Sequence, residues 1–410
     1  MGASHYGNFI RRRTICHHRS RSRIGKRTGL VQPALWLACD NATRLDMKIL
    51  FVAQYGPLAA SSRTRVFDYL PLLRRAGITC DVKVVTPDDL IKRNTRGIFS
   101  RLLYYVLSYF RAWWTGWTCV FIASQYDAIL IQKTLFSFPI PHLLRRYRHK
   151  IFFDFDDAIF TLENPNAGWI NRLRTRRRAM GVPAMLQTAH CAIVENAYTA
   201  EFAARYCPYI SQITGPIDTA RYVPSKKITG EKIVLGWIGS QWTTRYLDMI
   251  RDPLAVLSRR YPNLELRLIG ADEFDVPDLQ IVHMDWALET EVDHLQTFDI
   301  GLMPLPDDPF TRGKGGYKLL QYMACGLPVV ASPVEINREI VTHGKTGFWA
   351  ETDIEWIEFL GTLIENKTLR NRLGIAGRAR VIAHYALEKS SEQLLALLQR
   401  STHQCDTLSQ

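Results

Sequence analysis

Thr311-Arg312-Gly313-Lys314-Gly315-Gly316-Tyr317-Lys318-Leu319-Leu320-Gln321-Tyr322-Met323-Ala324-Cys325-Gly326-Leu327-Pro328-Val329-Val330-Ala331-Ser332 reads as a turn, a helix and a strand in succession. A glycine-rich turn enters an apolar helix, Gly326 stops it, and Val329-Val330-Ala331 continues as a buried strand. A helix that opens beside glycines presents unpaired N–H groups and the positive end of its dipole, which suits phosphate. Lys314 and Lys318 are one helical turn apart, so both can reach one diphosphate, with Gly316 between them. Two solvated lysines on a turn is the plainer reading of the same residues.

The alternation extends in both directions. Strand-like runs at 49–53, 80–85, 127–132, 151–155 and 190–195 alternate with helical patterns at 65–76, 99–123, 141–147, 170–187 and 199–206. A second set of strands follows at 233–238, 264–269, 279–284, 299–303 and 328–331. Continuous apolar strands alternating with helices predict parallel sheets covered on both faces. The expected fold is α/β, with two Rossmann-like doubly wound domains at 47–222 and 223–385. Pro216, Asp218, Thr219 and Pro224 mark the connector. Residues 386–410 form a last helix and tail, with Leu394, Leu395, Leu397 and Leu398 packing back on the body.

Charge is unevenly placed. Residues 1–46 hold nine arginines or lysines against two acids, more than half of the formal +13 of the 410-residue chain. They show no helical or strand period and read as a disordered basic extension, a leader, or sequence ahead of a true start at Met47. No basic stripe stands out in the remainder, so nucleic acid is not an expected partner. The eight cysteines, from Cys16 to Cys405, include no C-x-x-C pair and no metal-ligand spacing with histidine. Reduced thiols and a cytoplasmic location are expected. Residues 98–123 carry Tyr104, Tyr105, Tyr109, Phe110, Trp113, Trp114, Trp117 and Phe121 with Arg101 and Arg111. They read either as an interfacial helix, peripheral on the inner face of a membrane, or as a buried helix with an aromatic face.

Residues 322–332 resemble the E-A-M-A-x-G-x-P-V-V-A-[ST] signature of glycosyltransferase family 4 (glycosyl transferases group 1). Further similar runs are in order. They are Ile238-Gly239-Ser240, Leu268-Ile269-Gly270, the stretch from Phe298 to Pro304, and the stretch from Glu339 to Phe348. The resemblance is strong over 233–385 and divergent over 47–224. It implies the GT-B fold, two Rossmann-like domains facing across a cleft, and a nucleotide-diphosphate sugar held by the C-terminal domain. The sequence departs from the family's paired glutamates, placing Gly313 and Gln321 there instead. It is similar to a divergent form reading K-x-G-Y-K-L-L-Q-Y-M-A-C-G, in which Glu335 takes the place of a usual glycine. The resemblance assigns donor binding to Gly239, Ser240, Thr243, Lys314, Gly316, Lys318 and Gln321.

Two segments of the first half add candidates. Asp154-Phe155-Asp156-Asp157 ends a strand at the edge where doubly wound folds bind ligands. By resemblance Asp156 falls on a cleft histidine that touches the donor sugar, so Asp156 and Asp154 are the catalytic candidates. Asp157 is either a cleft residue or a helix N-cap. The cluster is also open to reading as a metal-binding D-x-D or a phosphatase nucleophile motif. In the loop 54–65, Arg63 and Arg65 are candidates for an anionic acceptor or the donor phosphate, and Ser62 for a cap.

The resemblance implies transfer of a glycosyl group to a hydroxyl acceptor, with retention, in polysaccharide or glycolipid assembly. No cofactor or metal is expected. A lipid-linked acceptor and a membrane surface at 98–123 are candidate partners. The competing readings are a non-catalytic nucleotide-sugar-binding protein and a Mg-dependent phosphatase using Asp154 and Asp156.

Overall fold

Continuous apolar runs build the first sheet. The computed structural model of the protein describes residues 47–93, 98–161, 169–225 and 232–406; the readings made for 1–46 fall outside them. Strands β1 (Lys48–Tyr55), β2 (Thr79–Thr86), β3 (Ala128–Gln132), β4 (Ile151–Asp154), β5 (Cys191–Val194) and β6 (Tyr209–Gln212) pair in parallel in the order β2-β1-β3-β4-β5-β6. Along β1, Leu50 and Val52 face one core while Ile49, Phe51 and Ala53 face another. Both faces are therefore dry, as parallel sheets require.

The second sheet repeats the design. Strands β7 (Ile233–Ile238), β8 (Leu264–Ile269), β9 (Gln280–Met284), β10 (Ile300–Met303), β11 (Val329–Ala331) and β12 (Gly347–Trp349) run in the order β12-β11-β10-β7-β8-β9, again parallel. Cores line both faces of this sheet as well. Gly236 in β7 is needed for close packing, because a Cβ there would overlap the ring of Phe298.

The helices include α1 (Ile98–Ile122), α2 (Trp169–Thr188), α3 (Ala197–Ala203), α4 (Tyr317–Ala324) and α5 (Leu387–Asp406). The chain crosses between the lobes twice, at 213–217 and 385–387. The two crossings bind each other: Ile217 donates its N–H to Tyr385 and accepts one from Leu387. Helix α5 then lays Leu387, Leu394 and Leu398 on the core behind β1, so the last helix belongs with the first sheet. The described residues form one compact unit.

Helix α1 is buried along one face and exposed along another. Ala112, Cys119 and Val120 are buried against the first core. Val106, Phe110, Trp114 and Phe121 are exposed, Phe121 at 74%. Arg111 is tied down, donating to the carbonyls of Val85 and Val84 at the end of β2. Among the described residues, no helix is long and apolar enough to cross a membrane.

Sequence patterning missed β6 and β12, and the helix expected at 65–76 is interrupted. It is a π-turn over Arg63–Phe67 followed by a short helix Leu70–Arg75. Ser62 does not cap it. Its hydroxyl donates to Gln132 and accepts from the Tyr55 N–H.

Candidate functional site

The mouth of α4 is built by three glycines. After the turn Thr311–Gly313, Lys314 is extended, and Gly316 turns the chain into the helix at φ +67°, a region that costs a side chain strain. The first N–H groups of a helix have no intrahelical acceptor. Among the described residues, the N–H groups of Gly315, Gly316, Tyr317 and Lys318 meet no acceptor. Lys318 points back toward the end of β7, its Nζ 3.9 Å from the centroid of the Trp237 ring. Gly239 makes room for it, since a Cβ there would stand 2.7 Å from that Nζ. Lys314 lies over Phe310 at 4.9 Å and Tyr246 at 5.9 Å.

Among the described residues, no carboxylate is within ion-pair distance of Lys314 or Lys318. Burial, helped by repulsion from Lys314, pushes the Lys318 ammonium well below its usual pKa. Two nearby cations and four free N–H groups make a concentrated positive site without a counter-ion.

The expected contribution of the β7 loop needs correcting. The Gly239 N–H is donated to Ile269 O at 3.0 Å, and the Ser240 N–H to Thr243 Oγ1 at 3.1 Å. Thr243 spends its own hydroxyl on Ser240 O. These residues shape the loop around Lys318 and have no amide left for a phosphate. Only the Ser240 hydroxyl faces solvent, 3.3 Å from Thr243 Oγ1.

Opposite stands the acidic end of β4. Asp154 is committed: Arg65 donates to it from Nε at 3.0 Å and Nη2 at 2.6 Å, both side chains buried. Arg65 also donates from Nη1 to Ile213 O and Gly215 O at the first crossing. Burial opposes the Arg65 charge, but Asp154 and Glu195 outweigh it and raise its pKa. The expectations that Arg65 meets a phosphate and that Asp154 does chemistry are corrected. The pair joins the first turn, β4 and the interlobe crossing.

Asp156 differs. It lies 2.9 Å from Lys133 Nζ, with Asp157 at 3.4 Å from the same nitrogen. Burial disfavours its ionisation, yet Lys133 and a hydrogen bond from Ser61 prevail and hold its carboxyl below the usual range. Asp157 caps no helix. It stands at φ +59° and Lys133 at φ +56°, both in the region that favours glycine, at ~1–3 kcal/mol each. Paired strain of this kind persists where surrounding structure fixes a charged cluster.

The two lobes meet around α4. Asn196 caps α3 with Oδ1 and donates from Nδ2 to Arg312 O and Lys314 O at 2.9 and 3.0 Å. Glu195 lies against Gly315 and 3.5 Å from Arg65. Burial pushes its carboxyl up to about 8 despite Arg65, with Asp156 and Asp157 adding to the rise. Arg63, buried, reaches 3.8 Å from Glu291 and 5.7 Å from the Trp286 ring centroid in the second lobe.

Two six-stranded parallel sheets meeting at their carboxyl ends invite comparison with known proteins. Residues 232–366 match the family described as Glycosyl transferases group 1. Solved structures superpose on most of the chain. The sucrose-phosphate synthase of Thermosynechococcus elongatus aligns at TM-score 0.61 and 15% identity, over 86% of this chain and 98% of that one. Anabaena HepE in complex with UDP and glucose aligns at 0.58 and 17%, over 86% and 99%. A glycosyltransferase from Rickettsia africae aligns at 0.62 and 12%, over 87% and 99%.

The chain carries a glycosyltransferase domain on a GT-B fold.

A curated relative is the GDP-mannose-dependent alpha-(1-6)-phosphatidylinositol monomannoside mannosyltransferase of Mycolicibacterium smegmatis. It is 26% identical over 246 residues, 52% of this chain. The match spans 61% of that protein's length.

In this GT-B chain the packing around Gly313 and Gln321 accounts for both residues. A Cβ on Gly313 would stand 2.7 Å from the Ala158 Cα and closer still to its nitrogen, so no glutamate fits between the lobes as they sit. Gln321 is buried and donates from Nε2 to Tyr222 Oη at 3.2 Å. The Tyr222 hydroxyl donates in turn to Glu291, which also receives Trp286 Nε1 at 2.6 Å. The Gln321 amide, assigned by resemblance to donor binding, serves this inner network. Glu335 stands at φ +40°, in the region that favours glycine, and nothing in the structure explains the glutamate.

Lys133, Glu195, Asn196 and Glu291 were missed from sequence. The first three sit at or just beyond strand ends, a position that marks ligand-facing residues in doubly wound folds. Glu291, on the short helix Glu291–Leu295, carried no such signal.

Proposed function

We propose that the protein transfers a sugar, with retention, from a nucleoside-diphosphate sugar to a hydroxyl of a lipid-linked acceptor. The observation that carries this reading is the pair Lys314 and Lys318 at the mouth of α4, with four free N–H groups and no counter-ion. Such a site meets the charge that develops on a departing diphosphate, and preorganised donors of this kind cost no reorganisation during reaction. Lys314, Lys318 and the helix dipole take that charge, and no metal ion takes part. Asp156, two residues from the Ala158 that touches Gly313, orients the acceptor hydroxyl or the donor sugar. Gly239, Ser240 and Thr243 hold the loop that aims Lys318. The packed lobes exclude water from the reacting centre.

The acceptor class is supported by the phosphatidylinositol monomannoside named for the curated relative and by the exposed aromatic face of α1. An aromatic, partly basic helix face suits the headgroup layer, which supports a peripheral position on the inner face of a membrane.

One observation favours a second reading: with Gly313 and an engaged Gln321, no side-chain carboxylate stands at the paired-glutamate positions, as a non-catalytic nucleotide-sugar binder allows. The phosphatase reading loses its nucleophile to the Asp154–Arg65 pair. The deciding measurement is release of UDP or GDP from UDP-glucose, GDP-mannose and related donors, with and without extracted membrane lipids. Release that grows with lipid supports transfer. Binding of a donor with no release under any condition favours the non-catalytic reading.

A further inference from the structure

A cavity of about 180 Å³ lies at the carboxyl ends of β1, β2 and β3, roofed by α1 and α2. Its wall includes Lys133, Arg177 and Arg178, with Tyr55, Tyr109 and Ser108. The Arg177 guanidinium sits 4.6 Å from the centroid of the Tyr109 ring. Burial then lowers its pKa, against the pull of Tyr109. Lys133 is neutralised by Asp156 and Asp157. Among the described residues, neither Arg177 nor Arg178 is within ion-pair distance of a carboxylate. The Ser108 hydroxyl is buried there without a hydrogen-bond partner. Two arginines without counter-ions among the described residues, Arg177 exposed and Arg178 half-buried, stand with a stacked tyrosine and an idle hydroxyl in an arrangement that suits an anion.

Size and surroundings narrow the occupant. Pockets for whole drug-sized ligands span ~300–1,000 Å³, so this cavity holds a fragment, smaller than a nucleotide sugar. Guanidinium groups bind phosphate oxygens in bidentate fashion. The neighbouring face of α1 borders a second, open groove of about 890 Å³ in which Leu107, Phe110 and Trp114 take part. Tyr105, Ser108 and Tyr109 line the charged cavity while Leu107, Phe110 and Trp114 line the second groove, whose rim also holds Lys83, Asp89 and Arg111, so one helix presents a charged and a mainly apolar site side by side. We propose that the cavity at Arg177 and Arg178 binds the phosphate of an amphiphilic acceptor, whose apolar part follows α1. Lys133 links it to Asp156, so a phosphate held there sets its attached polyol toward the acidic end of β4. The inference rests on the proposed glycosyl transfer for its meaning as an acceptor site.

The test compares the full chain with R177Q/R178Q and with R146Q, an exposed arginine of the same lobe outside the cavity. The two probes are soluble glycerol phosphate and phosphatidylcholine vesicles containing phosphatidylglycerol. Binding of UDP and GDP is read in parallel. The expected result is a loss of at least about tenfold for R177Q/R178Q, the size of one to two charge-assisted hydrogen bonds, with R146Q and nucleotide binding unchanged. Loss with both probes means that phosphate alone suffices. Loss with vesicles only means that the headgroup is held at a membrane. Either supports the site. It is overturned if the wild type binds neither probe, or if R146Q loses as much as R177Q/R178Q, or if R177Q/R178Q loses nothing. Absence of nucleotide binding in every protein would instead remove the proposed transferase and leave the phosphate site standing.

Discussion

The carboxyl group of Glu195, at the end of β5 in the first lobe, occupies the space that a side chain on Gly315 would fill in the second. The glycine is therefore a condition of lobe packing. Gly315→Ala must move Glu195 or part the lobes, and both lie at the seam that Asn196 stitches to Arg312 and Lys314. Overpacking of this kind costs about 1–3 kcal/mol. The expected outcome is a lower urea midpoint with weaker donor binding, read by denaturation and by calorimetry with UDP and GDP. Wild-type values for both would mean that the lobes do not meet this way in solution.

The same glutamate makes stability depend on pH. Burial raises the folded carboxyl to about 8, while in the unfolded chain it titrates near the ordinary value of 4.5. Between those values the unfolded state has lost its proton and the folded state keeps it, so stability falls as pH rises through that window. Glu195→Gln keeps the neutral shape and cannot ionise. The variant should therefore show a flatter profile of melting temperature from pH 5 to 8 than the wild type, with the gain largest at the alkaline end. Parallel profiles would show that Glu195 is not held protonated.

Most of the architecture was legible because buried parallel strands advertise themselves. The runs that became β1 and β7 are continuous and apolar. β6 was not, since Tyr209-Ile210-Ser211-Gln212 is a half-exposed edge strand whose composition matches a loop. The mouth of α4 was legible for a local reason: glycines, lysines and a helix start are neighbours in sequence. Arg65 and Asp154 are 89 residues apart, and nothing in either neighbourhood announces that they meet. Sequence reasoning accordingly assigned both to solvent-facing chemistry. The amides of the β7 loop were misassigned because which N–H groups are already used depends on strand pairing, here with Ile269.

Asp154→Asn should act on folding. It leaves the buried Arg65 guanidinium without its counter-charge, and breaking one side of a buried pair costs about 3–5 kcal/mol. Replacing both partners by apolar residues of similar volume should cost less than the single change. Denaturation of the single and double variants checks this, and a double variant worse than the single would refute the pairing argument.

Lys318 links donor binding to protons. Burial, helped by Lys314, holds its pKa well below the usual lysine value. A bound diphosphate favours the ammonium, so binding should take up a proton and tighten as pH falls through the lowered Lys318 pKa. Calorimetry with UDP or GDP in two buffers of different ionisation enthalpy reads the uptake directly. Lys318→Ala should abolish the uptake and weaken binding by more than about tenfold, the loss expected for a charge-assisted contact. Equal heats in both buffers with unchanged affinity in the variant would remove Lys318 from the diphosphate site.

Asp156→Asn separates chemistry from folding in the acidic cluster. Asn keeps the size of the side chain and can still accept from Ser61, but it ends the charge pairing with Lys133, which retains Asp157 at 3.4 Å. Because the lysine keeps a counter-ion, the stability loss should stay near ~1 kcal/mol, well under that of Asp154→Asn. Turnover should fall far more, by about a hundredfold or greater, if the carboxylate orients a hydroxyl or the donor sugar in the transition state. Donor affinity should hardly change, since the diphosphate is gripped by the other lobe. The diagnostic pattern is a low kcat with a near-normal donor KM and a near-normal Tm. A variant that turns over normally would leave Asp156 as a partner for Lys133 and nothing more.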